Sequence, residues 1–331
     1  MDTSQQENPH FPIDFVPAER RIATLAEDVR AGLLSAPRWL PPKYFYDERG
    51  AWLFEGICEQ PEYYPTRAET ALLAANADAI LQTTRPAHML ELGSGSSRKT
   101  LYLLDAAVRQ AKPLTYWPFD VTVEMVRHAT SDLVQRYPEL QFHALIGDYT
   151  GGLGGVILPD EGPRLVVLLG GTIGNFEPDM AVQMVADIRD RLDVGDSFLI
   201  GFDRIKDTAR LEAAYDDAVG YTAAFNKNVL NVLNRELDAD FDPDAFMHRA
   251  LYNADLSRVE MHLVARRGMT VTVGALNQHI KLHEGESINT EISRKFSPEG
   301  IDDLLASGGF ETEYRFEDAA SDYALVLARA V

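Results

Sequence analysis

From residue 87 onward, short apolar segments alternate with stretches of helical period, and this rhythm restricts the chain to few folds. The apolar runs are His88–Glu91, Leu114–Phe119, Gln141–Ile146, Leu165–Leu169 and Ser197–Phe202. Helical patterns at Lys99–Gln110, Val123–Arg136 and Met180–Leu192 separate most of them. Strands spaced by helices cannot close hairpins on one another, so they pair through crossovers, and crossovers give a parallel sheet covered on both faces. The section is predicted to be α/β and doubly wound.

The flanks read differently. A chain of 331 residues exceeds what one core of about 250–300 residues holds, so a second core is expected. Between Pro17 and Leu34, Ile22, Leu25, Val29 and Leu33 recur at helical spacing. Pro41–Gly50 and Pro61–Pro65 are dense in proline and tyrosine and bracket a short helical stretch at Trp52–Ile57. Thr66-Arg-Ala-Glu69 has the pattern of a capping box, which predicts a helix start ahead of the periodic run Ala71–Leu81. After Asp203 a helical region carries Tyr215, Tyr221 and Phe225, and strand-like runs follow at Val259–Val264, Met269–Val273, Gln278–Leu282 and Asn289–Ser293. Without crossover helices these predict a small antiparallel sheet. Ser297-Pro-Glu-Gly300 then opens a helix, and Glu311–Phe316 and Tyr323–Ala328 read as strands that return to the first sheet. The expected division is one domain of residues 68–205 with 295–331, an α+β second domain of 15–67 with 206–294, and a tail of 1–14.

The most informative loop is Glu91-Leu-Gly93-Ser94-Gly95-Ser-Ser-Arg98-Lys99-Thr100, between a strand and a helix. Its glycines let a ligand approach backbone at a helix N-terminus. A phosphate-binding P-loop needs glycine before Lys99, and a dinucleotide fold needs a third glycine; Arg98 stands at both places. S-adenosylmethionine (AdoMet) is the remaining cofactor, with a purely structural tight turn as the competing reading. Asp120 and Asp148, followed by Tyr149, end the next two strands. There one carboxylate can accept ribose hydroxyls and the other can bond an adenine amino group, at the face where open α/β sheets bind ligands.

Charge and cysteine usage narrow the acceptor. Lys and Arg total 31 against 51 Asp and Glu, a net charge of −20, which disfavours nucleic acid and anionic membrane. The single cysteine, Cys58, cannot form an internal disulfide, and the cytoplasm is the expected compartment. The fourth strand ends Leu169-Gly170-Gly171-Thr-Ile-Gly174-Asn175, without the proline pair of base-methylating enzymes. A small-molecule acceptor is predicted, with the Asn175 amide available to a carboxylate; a turn asparagine is the plainer alternative. His279 and His283 have metal-like spacing but lie in an alternating, strand-like run, so no metal site is predicted.

The chain resembles the histidine-specific Nα-methyltransferases of ergothioneine biosynthesis. The resemblance spans Pro41 to Ala328. It is carried by Pro41-Pro-Lys-Tyr-Phe-Tyr-Asp, Pro61-Glu-Tyr-Tyr-Pro-Thr-Arg-Ala-Glu, Glu91-Leu-Gly-Ser-Gly, Gly171-Thr-Ile-Gly-Asn, Ala214-Tyr-Asp-Asp, Phe225-Asn-Lys-Asn-Val-Leu and Asn289-Thr-Glu-Ile-Ser-Arg-Lys-Phe. It implies a Rossmann-like class I AdoMet methyltransferase with a second, substrate-binding domain, acting as a monomer that converts L-histidine to N,N,N-trimethylhistidine (hercynine). Carried over by position, Gly93, Ser94, Gly95, Lys99, Asp120, Asp148 and Tyr149 would hold AdoMet. Asn175 and Tyr215 would grip the substrate carboxylate, and Tyr46 and the Gly170 carbonyl would sit near the amine. Tyr63, Glu291 and Ser293 would read the imidazole, with Met261 beside them. Tyr44, Gly171 and Tyr149 depart from the family's usual tryptophan, serine and phenylalanine.

The residues are consistent with that assignment. Glu291 and Ser293 are two apart in a strand-like run and so share a face, which without the resemblance would read as solvated. Two alternatives remain at this level: an Nα-methyltransferase for another aromatic amino acid or a modified histidine, and a non-catalytic AdoMet-binding regulator.

Overall fold

A computed structural model describes residues 11–331. The chain enters through β1 (Ile13–Phe15), α1 (Leu25–Leu33), β2 (Arg38–Trp39), α2 (Glu48–Cys58) and the long α3 (Tyr64–Thr84). The alternating section supplies β3 (His88–Leu92), α4 (Leu101–Arg109), β4 (Thr115–Asp120), α5 (Val123–Arg136), β5 (Gln141–Phe142), β6 (Ala144–Ile146), β7 (Arg164–Leu168), α6 (Pro178–Arg189) and β8 (Ser197–Asp203). An insertion follows: α7 (Thr208–Ala214), α8 (Tyr221–Leu237), β9 (Phe246–Asn253), β10 (Arg258–Ala265), β11 (Met269–Val273), β12 (Gln278–Leu282) and β13 (Ser287–Arg294). The return is α9 (Pro298–Ser307), β14 (Phe310–Glu317) and β15 (Tyr323–Ala330).

The large sheet runs β1-β6-β4-β3-β7-β8-β15-β14, with β5 also on β4. Its pairs from β1 to β8 are parallel, and β15 enters antiparallel between β8 and β14. Both faces are covered, so the central strands are apolar on both sides. Leu90, Val166 and Ile200 pack into one layer, while their neighbours Met89, Val167 and Leu199 pack into the other. Strand order reverses between β3 and β7, which puts the crevice beside the loops after those two strands.

A third core lies under the insertion. The sheet β2-β13-β10-β9 packs with α8 through Phe225, Val229, Leu233, Met261 and Leu263, joined by Val29, Leu33, Phe45, Leu53 and Ile57 from the N-terminal segment. Where one antiparallel sheet is expected, the chain forms this sheet and a separate β11-β12 hairpin. The strand β9 escapes the sequence reading because Met247, His248, Arg249 and Ala250 do not alternate cleanly.

Two further expectations are corrected. The segment 1–14 is not all tail, and residues just beyond it do not join the second domain. Ile13–Phe15 pairs in parallel with the edge strand β6, Val16 N–H bonds the Ile146 carbonyl at 2.8 Å, and Phe11 is buried. Residues 1–10 of the expected tail lie outside the described residues. Nor do Thr66 and Glu69 cap a helix. The α3 helix starts at Tyr64, with Pro65 in its first turn, and Glu69 lies inside it, wholly buried.

Candidate active site

The cofactor side is assembled from strand ends and their backbone. Gly93 and Gly95 adopt φ of 70° and 49°, a left-handed turn that glycine enters without a Cβ clash. The loop hangs on the end of β4: Gly93 N–H donates to the Phe119 carbonyl (2.8 Å) and Gly95 N–H to Asp120 Oδ2 (3.0 Å). Asp120 Oδ1 accepts Thr122 N–H at 3.1 Å, so the carboxylate is pinned by two backbone donors. Asp148 Oδ1 is likewise held by Thr150, through N–H (2.9 Å) and hydroxyl (2.6 Å). The Tyr149 hydroxyl stands 3.5 Å from where a Cβ on Gly93 would be. The Ser94 hydroxyl is buried without a protein partner. Open glycines, an orphaned hydroxyl and two anchored carboxylates fit AdoMet, with its polar amino acid end, ribose and adenine.

At the neighbouring strand end, Gly170 and Gly171 take φ of 81° and 64° and turn β7 into a short 3-10 segment ending at Asn175. Gly174 passes close to β13: a Cβ there would meet the Arg294 carbonyl at 2.7 Å. Glu69 ties this turn to the cofactor loop. Its carboxylate pairs with Lys99, accepts Gly170 N–H at 2.9 Å and accepts the Tyr323 hydroxyl at 2.7 Å. A carboxylate removed from water requires such partners. Sequence reasoning missed Glu69 because its spacing from Thr66 also satisfies a capping box.

The acceptor side is built from side chains. Met261 lies opposite Glu291 across β10 and β13, and Thr290 is the extra residue of a bulge beside that pair. A bulge re-aims its flanking side chains. Here the Thr290 hydroxyl is buried on Asn226 (2.6 Å), and Glu291 Oε1 accepts the Asn175 amide at 3.3 Å. Burial pushes the Glu291 carboxyl up to about 7, against the opposing pull of Lys295 and Asn175. Ser293 Oγ accepts the Tyr215 hydroxyl at 2.7 Å. An aromatic chain closes the side: Tyr63 against Tyr215 (6.2 Å), Phe54 against Tyr63 (6.3 Å) and Tyr46 against Phe54 (5.7 Å), each edge-on. Tyr46 keeps 47% of its surface exposed.

The fold therefore gathers Tyr63, Asn175, Tyr215, Met261, Glu291 and Ser293 at one end of β13, and Gly93, Ser94, Gly95, Asp120, Asp148 and Tyr149 at the strand ends beside it. Lys99 faces Glu69. Three more residues escaped sequence reasoning. Phe54 stands in the aromatic chain, and Asp203 and Lys295 form a buried ion pair at 2.7 Å behind Tyr215. A signal for Lys295 existed in its place within Asn289–Phe296. Of the paired histidines, His279 sits on β12 with its Nδ1 3.3 Å from the Thr272 hydroxyl, on the β11-β12 hairpin and not on the sheet that carries Glu291 and Ser293.

Apart from β1 and β5, the strand order with its antiparallel β15 is that of class I AdoMet-dependent methyltransferases, and the glycine loop and strand-end acids occupy that class's cofactor face. Within the class, this chain belongs to the histidine-specific, SAM-dependent methyltransferases, whose family model matches residues 25–330. It is 45% identical over 316 residues to the histidine N-alpha-methyltransferase of Mycolicibacterium smegmatis, covering 95% of this chain and 98% of that protein. To the histidine N-alpha-methyltransferase of Mycobacterium tuberculosis it is 42% identical, over 92% of this chain and 94% of the relative. Ergothioneine biosynthesis protein 1 of Schizosaccharomyces pombe is 28% identical over 86% of this chain, which matches 38% of that longer protein.

Proposed function

We propose that this protein trimethylates the α-amino group of L-histidine with AdoMet, giving hercynine, the first step of ergothioneine biosynthesis. The observation that carries the reading is the meeting of Glu291 and Ser293 with Tyr215 and Asn175 beside the cofactor loop. Bound AdoMet supplies an electrophilic methyl group.

The chain's own residues supply position. Gly93, Ser94, Gly95, Asp120, Asp148 and Tyr149 hold the cofactor, and Lys99 shapes its amino acid end through Glu69. Asn175 and Tyr215 hold the substrate carboxylate, while Tyr63, Glu291, Ser293 and Met261 surround the ring. Tyr46 and the Gly170 carbonyl border the amine, which must be neutral with its lone pair toward the methyl group. Holding reactants in that geometry is worth up to about 7–11 kcal/mol. Aromatic rings around the amine also suit a product that ends as a quaternary ammonium. The two-module organisation serves this arrangement, with the insertion and N-terminal segment covering the cofactor domain. Among the described residues no helix is long and apolar enough to cross a membrane. The single cysteine and net charge of −20 favour a cytoplasmic monomer acting on a small molecule rather than nucleic acid or membrane.

The test is incubation with AdoMet and each amino acid in turn, with products identified by mass. Formation of trimethylhistidine from histidine is expected. Methylation of another amino acid alone, or cofactor binding without turnover, would overturn the proposal.

A further inference from the structure

Lys295 is wholly buried, and its ammonium has three acceptors for its three protons: Asp203 Oδ2 (2.7 Å), the Tyr215 hydroxyl (2.9 Å) and Ser293 Oγ (2.8 Å). Asp203 also pairs with Lys206 and accepts the Tyr64 hydroxyl at 2.7 Å, so Lys295 has a carboxylate partner at the β8 end that does not come from substrate, one that it shares with a second ammonium. A serine hydroxyl has two lone pairs and one hydrogen. Both lone pairs of Ser293 are taken, by Lys295 and by Tyr215, and among the described residues nothing accepts its hydrogen. Two residues away, Glu291 receives only the Asn175 amide and has acceptor capacity to spare.

The pair therefore offers a ring one donor and one acceptor. A neutral imidazole presents the complement: one bare nitrogen and one N–H. Imidazolium presents two N–H groups, one of which would face a hydroxyl already bonded to an ammonium. If Tyr215 turns its hydrogen toward a bound carboxylate, Lys295 still occupies Ser293, and a second ring proton would still approach a buried cation. Like charges brought together away from bulk water are costly.

We infer that Lys295 is a positioning residue that commits Ser293 to donate, so that the site takes histidine as neutral imidazole in a single tautomer, N–H toward Glu291 and bare nitrogen toward Ser293. The inference rests on the proposed reading of Glu291 and Ser293 as ring contacts and adds which protonation state and tautomer they select. It makes Lys295 a determinant of specificity without contact to substrate.

Nitrogen NMR of ring-labelled histidine, bound with S-adenosylhomocysteine at about pH 8, above the free side chain's pKa of about 6.5 and above the range in which Glu291 takes up a proton, tests it. The expected spectrum has one protonated and one bare ring nitrogen as separate signals, while free histidine averages. In Lys295→Met the signals are expected to move toward averaging or toward imidazolium, and KM for histidine to rise about tenfold with KM for AdoMet unchanged. A wild-type spectrum of imidazolium or of averaged tautomers would overturn the inference, as would an unchanged single tautomer in Lys295→Met. The wild-type spectrum decides even if that variant fails to fold. Absence of any histidine binding would instead count against the proposed substrate.

Discussion

The two halves of the site are held in place by different means. On the cofactor side the carboxylates of Asp120 and Asp148 are fixed mainly by backbone N–H groups within two residues, or one strand, of themselves. On the acceptor side Glu291 and Ser293 are fixed by side chains from afar: Asn175 lies 116 residues from Glu291, and Tyr215 lies 78 from Ser293. The first arrangement tolerates surface-like hydration. The second needs its buried charges to have partners, and the Asp203 carboxylate, shared by Lys295 and Lys206, is one. Burial raises Asp203, but Lys295 and Lys206 outweigh it and hold its carboxyl below the usual range. Burial pulls Lys206 down to about 8, against the pull of Asp203. Burial lowers Lys295 as well, yet Asp203 more than offsets that and keeps it charged.

Glu69 belongs to both halves, so removing it should produce the largest effect. Glu69→Ala leaves Lys99, Gly170 N–H and the Tyr323 hydroxyl without their acceptor. A loss of about 3 kcal/mol in urea unfolding is expected, as for a broken buried ion pair. A loss below about 0.5 kcal/mol would mean that the halves are not joined there. Next, Asp120→Ala should weaken AdoMet binding by about 2–3 kcal/mol, through lost charged hydrogen bonds and a slackened Gly95 turn, without changing histidine affinity. Calorimetry on each ligand separates the two. Glu291→Ala should do the reverse, costing about 1–3 kcal/mol in histidine binding and little in AdoMet binding.

The smallest effect is on stability. The Glu291 carboxyl sits at about 7 in the folded protein and near 4.3 in an unfolded chain. The folded state therefore binds more protons between those values, and stability falls as pH rises through about 7. Glu291→Gln removes that penalty. It should melt above wild type at pH 8, by about 1 kcal/mol after allowing for the partly hydrated site, with the gain shrinking toward pH 4. Histidine affinity of the wild type should move the other way and fall as pH drops below about 7, because the protonated carboxyl accepts the ring N–H poorly. A melting difference independent of pH would refute the assignment.

The same contrast explains what could be read from the sequence. The βαβ rhythm, the glycine loop and the strand-end acids are local patterns, and the fold preserves them almost residue for residue. The face shared by Glu291 and Ser293 was also legible, because strand alternation is local. Glu69 was legible only as a cap, since nothing in Thr66-Arg-Ala-Glu69 says that the helix begins two residues before Thr66 and turns the glutamate inward. Asp203 and Lys295 meet across 92 residues, and β1 pairs with a strand more than 120 residues away; no periodicity encodes such distances.

The central claim is that buried hydrogen-bonding groups select histidine. The most direct measurement compares kcat/KM for L-histidine and L-phenylalanine in the wild-type protein. A site built on Glu291 and Ser293 predicts a preference of about 10⁴-fold or more for histidine, since phenylalanine would cover the spare Glu291 acceptor and the Ser293 hydrogen without bonding either. A ratio within about 200-fold, the range that shape and apolar contact alone provide, would contradict it.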